Sequence, residues 1–250
     1  NLSDVLGLVV AWAGIRLAAQ PPSPRFTWGL KRSPILAALA NALLLVAACG
    51  AIALEAVQRL ADPQPVPGGV VMAVAGIGIL VNGFTAWLFA GGRHGDVNVR
   101  GAYLHMLADA GISAAVVVAG LLILKTGMAW IDPALSLVVV IVILRGTWGL
   151  LKESLALALD AVPPGIDPEA VQTFLAGQPG VAAVHDLHIW PMGTTGSVLT
   201  AHLVMPAGHP GDRVIAGLAH DLDDRFGIGH ATFQVETGET PCRLASLSPV

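Results

Sequence analysis

In YLHMLADAGISA, residues 103–114, His105 and Asp109 stand four positions apart in a stretch otherwise made of small and apolar residues. At about 100° per residue the two fall about 40° apart and one turn along the same helix face, so both can reach one point. An ionisable side chain inside a bilayer is costly, and its presence there points to a function and a partner. Imidazole nitrogen paired with carboxylate oxygen suits a borderline divalent ion such as Zn²⁺, which takes four ligands tetrahedrally. Two ligands on one helix require others from elsewhere, and Asp4, an isolated carboxylate in the apolar opening NLSDVLGLVVAW, is the candidate. A second set lies toward the end of the chain: His185, His188, His202, His230 and Glu236, all on or beside stretches of strand character. In the alternation of a regular strand, His185 and His188 point to opposite faces.

The elements that must hold these groups follow from composition. The 250-residue chain is 54% hydrophobic and only 12% charged, about half the charge of an ordinary soluble domain. The apolar residues bunch into runs at about 1–20, 34–60, 69–91, 100–125 and 131–151, each long enough to cross a bilayer as a helix. QPPSPRF, DPQPVPGG and GGRHGDVN punctuate the runs as turn-rich connections. Residues 1–155 therefore read as a transmembrane domain and 156–250 as a mixed, polar tail. Long apolar runs without ten-residue alternation exclude a membrane β-barrel.

Basic residues set the orientation. Arg16, Arg25, Lys31 and Arg32, then Arg93 and Arg100, then Arg145 and Lys152 lie on one face, against only Arg59 and Lys125 on the other. The richer face is cytoplasmic, and the tail lies inside. Five spans leave Asn1 outside, and the opening within an apolar segment suggests that a further helix precedes it. The net charge of −4, with no basic stripe, gives no case for nucleic acid. Two cysteines, Cys49 and Cys242, do not make a disulfide framework.

The tail reads helix, strand, strand, helix, strand. DPEAVQTFLAG has an Asp-Pro helix start and a Gly stop, VAAVHDLHIW and SVLTAHLVM have strand character on either side of PMGTTG, DRVIAGLAHDLDDRF has helical periodicity, and ATFQVE is a short last strand. The fold class is thus an α-helical integral membrane bundle followed by a small α+β domain of αββαβ order.

NLSDVLGLVVAW, RFTWGLKRSPILAALANALLL, YLHMLADAGISA and VHDLHIWPM, in that order, resemble the cation diffusion facilitator family of metal transporters. The resemblance covers essentially the whole chain. It implies a bundle lacking its first transmembrane helix here, followed by a metallochaperone-like (ferredoxin-like) domain. It implies a transport site in which Asp4 is the second member of one His-x-x-x-Asp pair, with its first member upstream of Asn1, and His105 with Asp109 form the other. It further implies a cytoplasmic metal site from His188, His202, His230 and Glu236, or in another branch from His185 with His202, and a homodimer. Cys242, in ETPC, could join such a site from a neighbouring subunit. The activity implied is export of a divalent metal, foremost Zn²⁺, from the cytoplasm by exchange with protons, in a bacterial inner membrane. Cd²⁺, Co²⁺, Fe²⁺ or Mn²⁺ stay open, since a two-His two-Asp set favours Zn²⁺ and an extra carboxylate broadens the site.

Two other classes compete. A membrane-anchored metal sensor or storage protein would bind metal in the tail without moving it. An intramembrane metallohydrolase needs a general base beside an open metal position, and no His-Glu-x-x-His motif is present.

Overall fold

The computed structural model describes residues 2–62, 68–90 and 97–244, with the side chains of residues 2–4, 97–102 and 105 outside that description. Two compact units result, Asn1–Leu43 with Trp148–Val250, and Leu44–Thr147. The connections at 63–67 and 91–96 lie outside the described residues.

Five long helices follow the apolar runs: α1 (Leu2–Ala18), α2 (Ser33–Ala61), α3 (Gly68–Ala90), α4 (Val97–Thr126) and α5 (Ile131–Ala158). Among the described residues, four are long and apolar enough to cross a membrane, over Ser33–Ala61, Gly68–Ala90, Met106–Thr126 and Ile131–Ala158. The 17 residues of α1 are also apolar. α5 runs past the expected end at 151 to Ala158, carrying Lys152 and Glu153 with it. Large apolar side chains on these helices face outward, as Leu8 (70% exposed), Leu80 (73%) and Ile141 (63%) show. That surface is matched to lipid, where leucine needs no cover.

Glycine lets backbones approach within each unit. A Cβ on Gly7 or Gly14 of α1 would lie 2.7 Å from Asn41 Oδ1 or 2.8 Å from the Ala37 Cβ of α2. On α3 and α4, a Cβ at Gly78 would meet Ser113 Oγ at 2.9 Å, and one at Gly120 would meet Met72 Cγ at 2.5 Å. Such small-residue contacts replace the hydrophobic drive that lipid removes. Arg59 pairs with Glu55 one turn earlier and, at 3.3 Å, with Asp132 in the first turn of α5.

The tail has the expected order: α6 (Pro168–Ala176), β1 (Ala183–Pro191), β2 (Ser197–Val204), α7 (Asp212–Phe226) and β3 (His230–Glu236). The Asp167 side chain accepts the Glu169 N–H at 3.0 Å and Pro168 opens α6, a start that satisfies an orphan donor. β1 pairs antiparallel with β2, and β2 parallel with β3. Leu187, Ile189, Leu199, Ala201 and Leu203 of the sheet pack with Val171 and Leu175 of α6 and with Leu218 and Leu222 of α7. One sheet face is therefore covered by helices, and the other carries the polar residues.

Candidate metal centre

The polar face of the sheet is fixed by register. His185 stands opposite His202, which stands opposite Gln234, while Thr200 has His188 on one side and Thr232 on the other. Asp186 and Leu187 of β1 thus oppose Ala201 of β2 alone. The extra residue is a β-bulge between His185 and His188, where Asp186 has φ 51°. This corrects the expectation that His185 and His188 face opposite sides: the inserted residue resets the alternation, so both lie on the polar face. His230 and Glu236, at even spacing from Gln234 in β3, share that face.

Sharing a face is not sharing a site. His185, His202, Glu236 and Cys242 each offer a ligand atom within 4.8 Å of the others. His202 Nδ1 lies 2.9 Å from Glu236 Oε1 and 3.6 Å from Cys242 Sγ, and His185 Nε2 lies 3.3 Å from Glu236 Oε2. The rings of His185 and His202 meet edge-on with centroids 5.1 Å apart. His185, His202 and Glu236 are nearly enclosed. Burial pushes the Glu236 carboxyl up. Hydrogen bonds from Cys242 and Gln234 and the charges of His185 and His202 outweigh it and hold it below the usual carboxylate range. It is therefore ionised at neutral pH, as a ligand must be.

Of the two sets the resemblance implies, the one of His188, His202, His230 and Glu236 is only partly gathered. His188 is exposed and its Nε2 lies 3.1 Å from Asp186 Oδ1. His230 packs edge-on against Trp28, with centroids 4.7 Å apart. It stands six positions from Glu236 along β3, roughly 20 Å at strand rise. His202 and Glu236 meet; His188 and His230 stand apart from them. His185 joins them, and so does Cys242 of the same chain, which needs no neighbouring subunit to arrive there. Asp186 went unrecognised in the sequence, although an aspartate between two strand histidines in VHDLH is itself a break in alternation.

The cluster fits a soft-to-borderline divalent ion. Two imidazoles, a carboxylate and a thiol make a four-ligand N₂OS shell suited to Zn²⁺ or Cd²⁺. His185 Nε2 is buried and, although Glu236 Oε2 lies 3.3 Å away, the two are not aligned for a hydrogen bond, an expense that an ion at the centre of the cluster would remove.

In the membrane part, α4 is unbroken through positions 105 and 109. Asp109 is half-buried, and Ser113, one turn further on the same face, is the residue that meets Gly78. The side chains of Asp4 and His105 lie outside the described residues.

Comparison with known proteins places this geometry in context. The family model for the cation efflux transmembrane domain matches residues 1–157, and that for the cytoplasmic domain of cation efflux proteins matches residues 163–238. The metal cation efflux system protein CzcD of Cupriavidus metallidurans is 36% identical over 245 residues, 98% of this chain and 77% of that protein. The zinc transporter ZitB of Escherichia coli is 36% identical over 237 residues, 94% of this chain and 75% of that protein. The cadmium, cobalt and zinc/H(+)-K(+) antiporter of Bacillus subtilis is 32% identical, covering 94% of this chain and 77% of that protein. A solved structure, the metal-bound C-terminal domain of the Cupriavidus CzcD transporter, is 38% identical, with a TM-score of 0.25, over 28% of this chain and 99% of that one.

Proposed function

The chain belongs to the cation efflux family of metal transporters, and from that premise we propose that it exports Zn²⁺ from the cytoplasm in exchange for protons. At the coarser level the assignment is plain. This is a multi-pass membrane protein with a cytoplasmic C-terminal domain, a transporter of divalent metal cations and not an enzyme. The choice of Zn²⁺ is supported by the zinc transporter among its relatives and by the His/Asp chemistry of α4. Exchange with protons is supported by the Bacillus relative, named as an antiporter.

Asp4, His105 and Asp109 are proposed to hold the transported ion. The observation that carries this is the i, i+4 placement of His105 and Asp109 on an uninterrupted α4, within the segment matched to the transmembrane domain. His105 binds metal only when neutral, and the aspartates only when ionised, so protons and metal compete for the same atoms. Alternating exposure of the site to the two sides then turns that competition into exchange.

His185, His202, Glu236 and Cys242 are proposed as a separate cytoplasmic zinc site. An ion there would tie β1, β2 and β3 to the segment carrying Cys242 and so couple cytoplasmic metal to the domain's rigidity. The same domain is proposed to form part of a homodimer contact.

The test is metal flux into proteoliposomes. Asp109→Ala is expected to abolish Zn²⁺ flux while the protein inserts and purifies as the parent does. Parental flux in Asp109→Ala would remove the transport-site assignment. Absence of flux in the unmodified protein, with zinc still bound by the tail, would favour the anchored sensor or storage reading.

A further inference from the structure

His202 presents its two ring nitrogens to two different carboxylates. Nδ1 points into the four-residue cluster, 2.9 Å from Glu236 Oε1. Nε2 points the other way, 3.4 Å from Asp186 Oδ2. A neutral imidazole carries one N–H and one lone pair. Zinc can take Nδ1 only if the remaining N–H is at Nε2, and that N–H needs an acceptor because the ring is buried.

We infer that Asp186 is the positioning residue of this centre: its carboxylate accepts the Nε2–H of His202, fixing the ring's orientation and leaving the Nδ1 lone pair for the metal. The inference rests on reading the four-residue cluster as a zinc site.

Three features of the chain support the role. The bulge turns Asp186 out of the alternation that would send it toward the helix-covered face, so its carboxylate reaches His202 across the strand. Its other oxygen is held 3.1 Å from His188 Nε2, which gives exposed His188 a task outside the cluster. The backbone at Asp186 sits in the left-handed region, φ 51°, where glycine would be relaxed and aspartate is merely tolerated. A strained conformation kept with an acidic side chain argues that the carboxylate itself is used. Metal-bound histidines commonly donate their second N–H to such a carboxylate, and losing it weakens metal binding.

The test uses the full-length protein in detergent, carrying Asp109→Ala to silence the transport site. Zinc affinity is measured by competition with a chromophoric chelator, and Co²⁺ spectra are taken at saturation. Asp186→Gly, which suits the backbone, is expected to bind zinc roughly 10–100-fold more weakly. Its Co²⁺ spectrum, including the thiolate charge-transfer band, should keep the parental shape because the ligands are unchanged. Asp186→Asn should lose less, since an amide oxygen accepts the same N–H and asparagine tolerates the backbone. Parental affinity in Asp186→Gly overturns the inference. A changed Co²⁺ spectrum also overturns it, since Asp186 would then be a ligand. His185→Ala separates the two levels. If it loses affinity while Asp186→Gly does not, only the role of Asp186 fails; if it too keeps parental affinity, the cluster is not the zinc site.

Discussion

Leu80 on α3 is 73% exposed and Leu175 on α6 is fully buried, and the contrast between them runs through the whole molecule. In the helices α1–α5 many of the large apolar side chains face outward, and close approach between helices falls at Gly7, Gly14, Gly78 and Gly120. In the cytoplasmic domain the apolar side chains converge between one sheet face and two helices. The solvent is inverted, and with it the meaning of a polar residue. Inside lipid an aspartate or histidine is costly enough to imply a task. On the open face of a sheet it costs little, and only its neighbours reveal whether it has one.

Truncation is the strongest way to break that comparison. Leu175→Ala should destabilise the cytoplasmic domain by about 2–5 kcal/mol, the range for emptying a packed site. Leu80→Ala should leave the melting temperature in detergent unchanged, because lipid or detergent fills the space. Thermal melts of the two variants check this, and equal losses would contradict the inverted arrangement.

On the polar face, geometry separates histidines that sequence alone treats as equals. His202→Ala removes a proposed ligand and should weaken cytoplasmic zinc binding by more than the roughly 100-fold upper end for loss of a supporting partner. His230→Ala, whose ring packs against Trp28 instead, should leave zinc affinity unchanged. Chelator competition on both variants in the Asp109→Ala background decides it; a loss in His230→Ala comparable to that in His202→Ala would restore the set implied by the resemblance.

A smaller effect sharpens the membrane side. Gly14→Leu places side-chain atoms where a Cβ alone would already lie 2.8 Å from Ala37 Cβ and 3.1 Å from the Ser33 carbonyl oxygen. Overpacking of this kind costs about 1–3 kcal/mol, read as a lowered melting temperature in detergent. Gly50→Leu, where nothing lies within 4 Å, is the matched control and should melt as the parent does.

The same inversion explains what was legible in the sequence. The helices were visible as apolar runs because helical spacing is local, and the bilayer makes ionisable residues such as His105 and Asp109 conspicuous as candidates. The order αββαβ was visible from caps, turns and alternation, as at Asp167-Pro168 and PMGTTG. The makeup of the cytoplasmic cluster was not. It depends on which residue of β1 stands opposite His202, on a bulge of one residue at Asp186, and on the return of Cys242 to the sheet. Register is a non-local property, and a shift of one residue moves every side chain to the other face. His188 and His230 have the right chemistry and lie on the right face, but the strands put them beside Asp186 and Trp28 instead.

Proton exchange is the central claim, and zinc movement in sealed vesicles under an imposed pH gradient tests it most directly. With zinc at equal concentration on both sides and an acidic interior, protons leaving the vesicle should drive zinc inward, and a pH dye inside should report alkalinisation in step with zinc accumulation. Both signals should vanish in Asp109→Ala. Zinc movement that ignores the pH gradient, with no accompanying proton flow, would contradict exchange and leave a passive metal pathway.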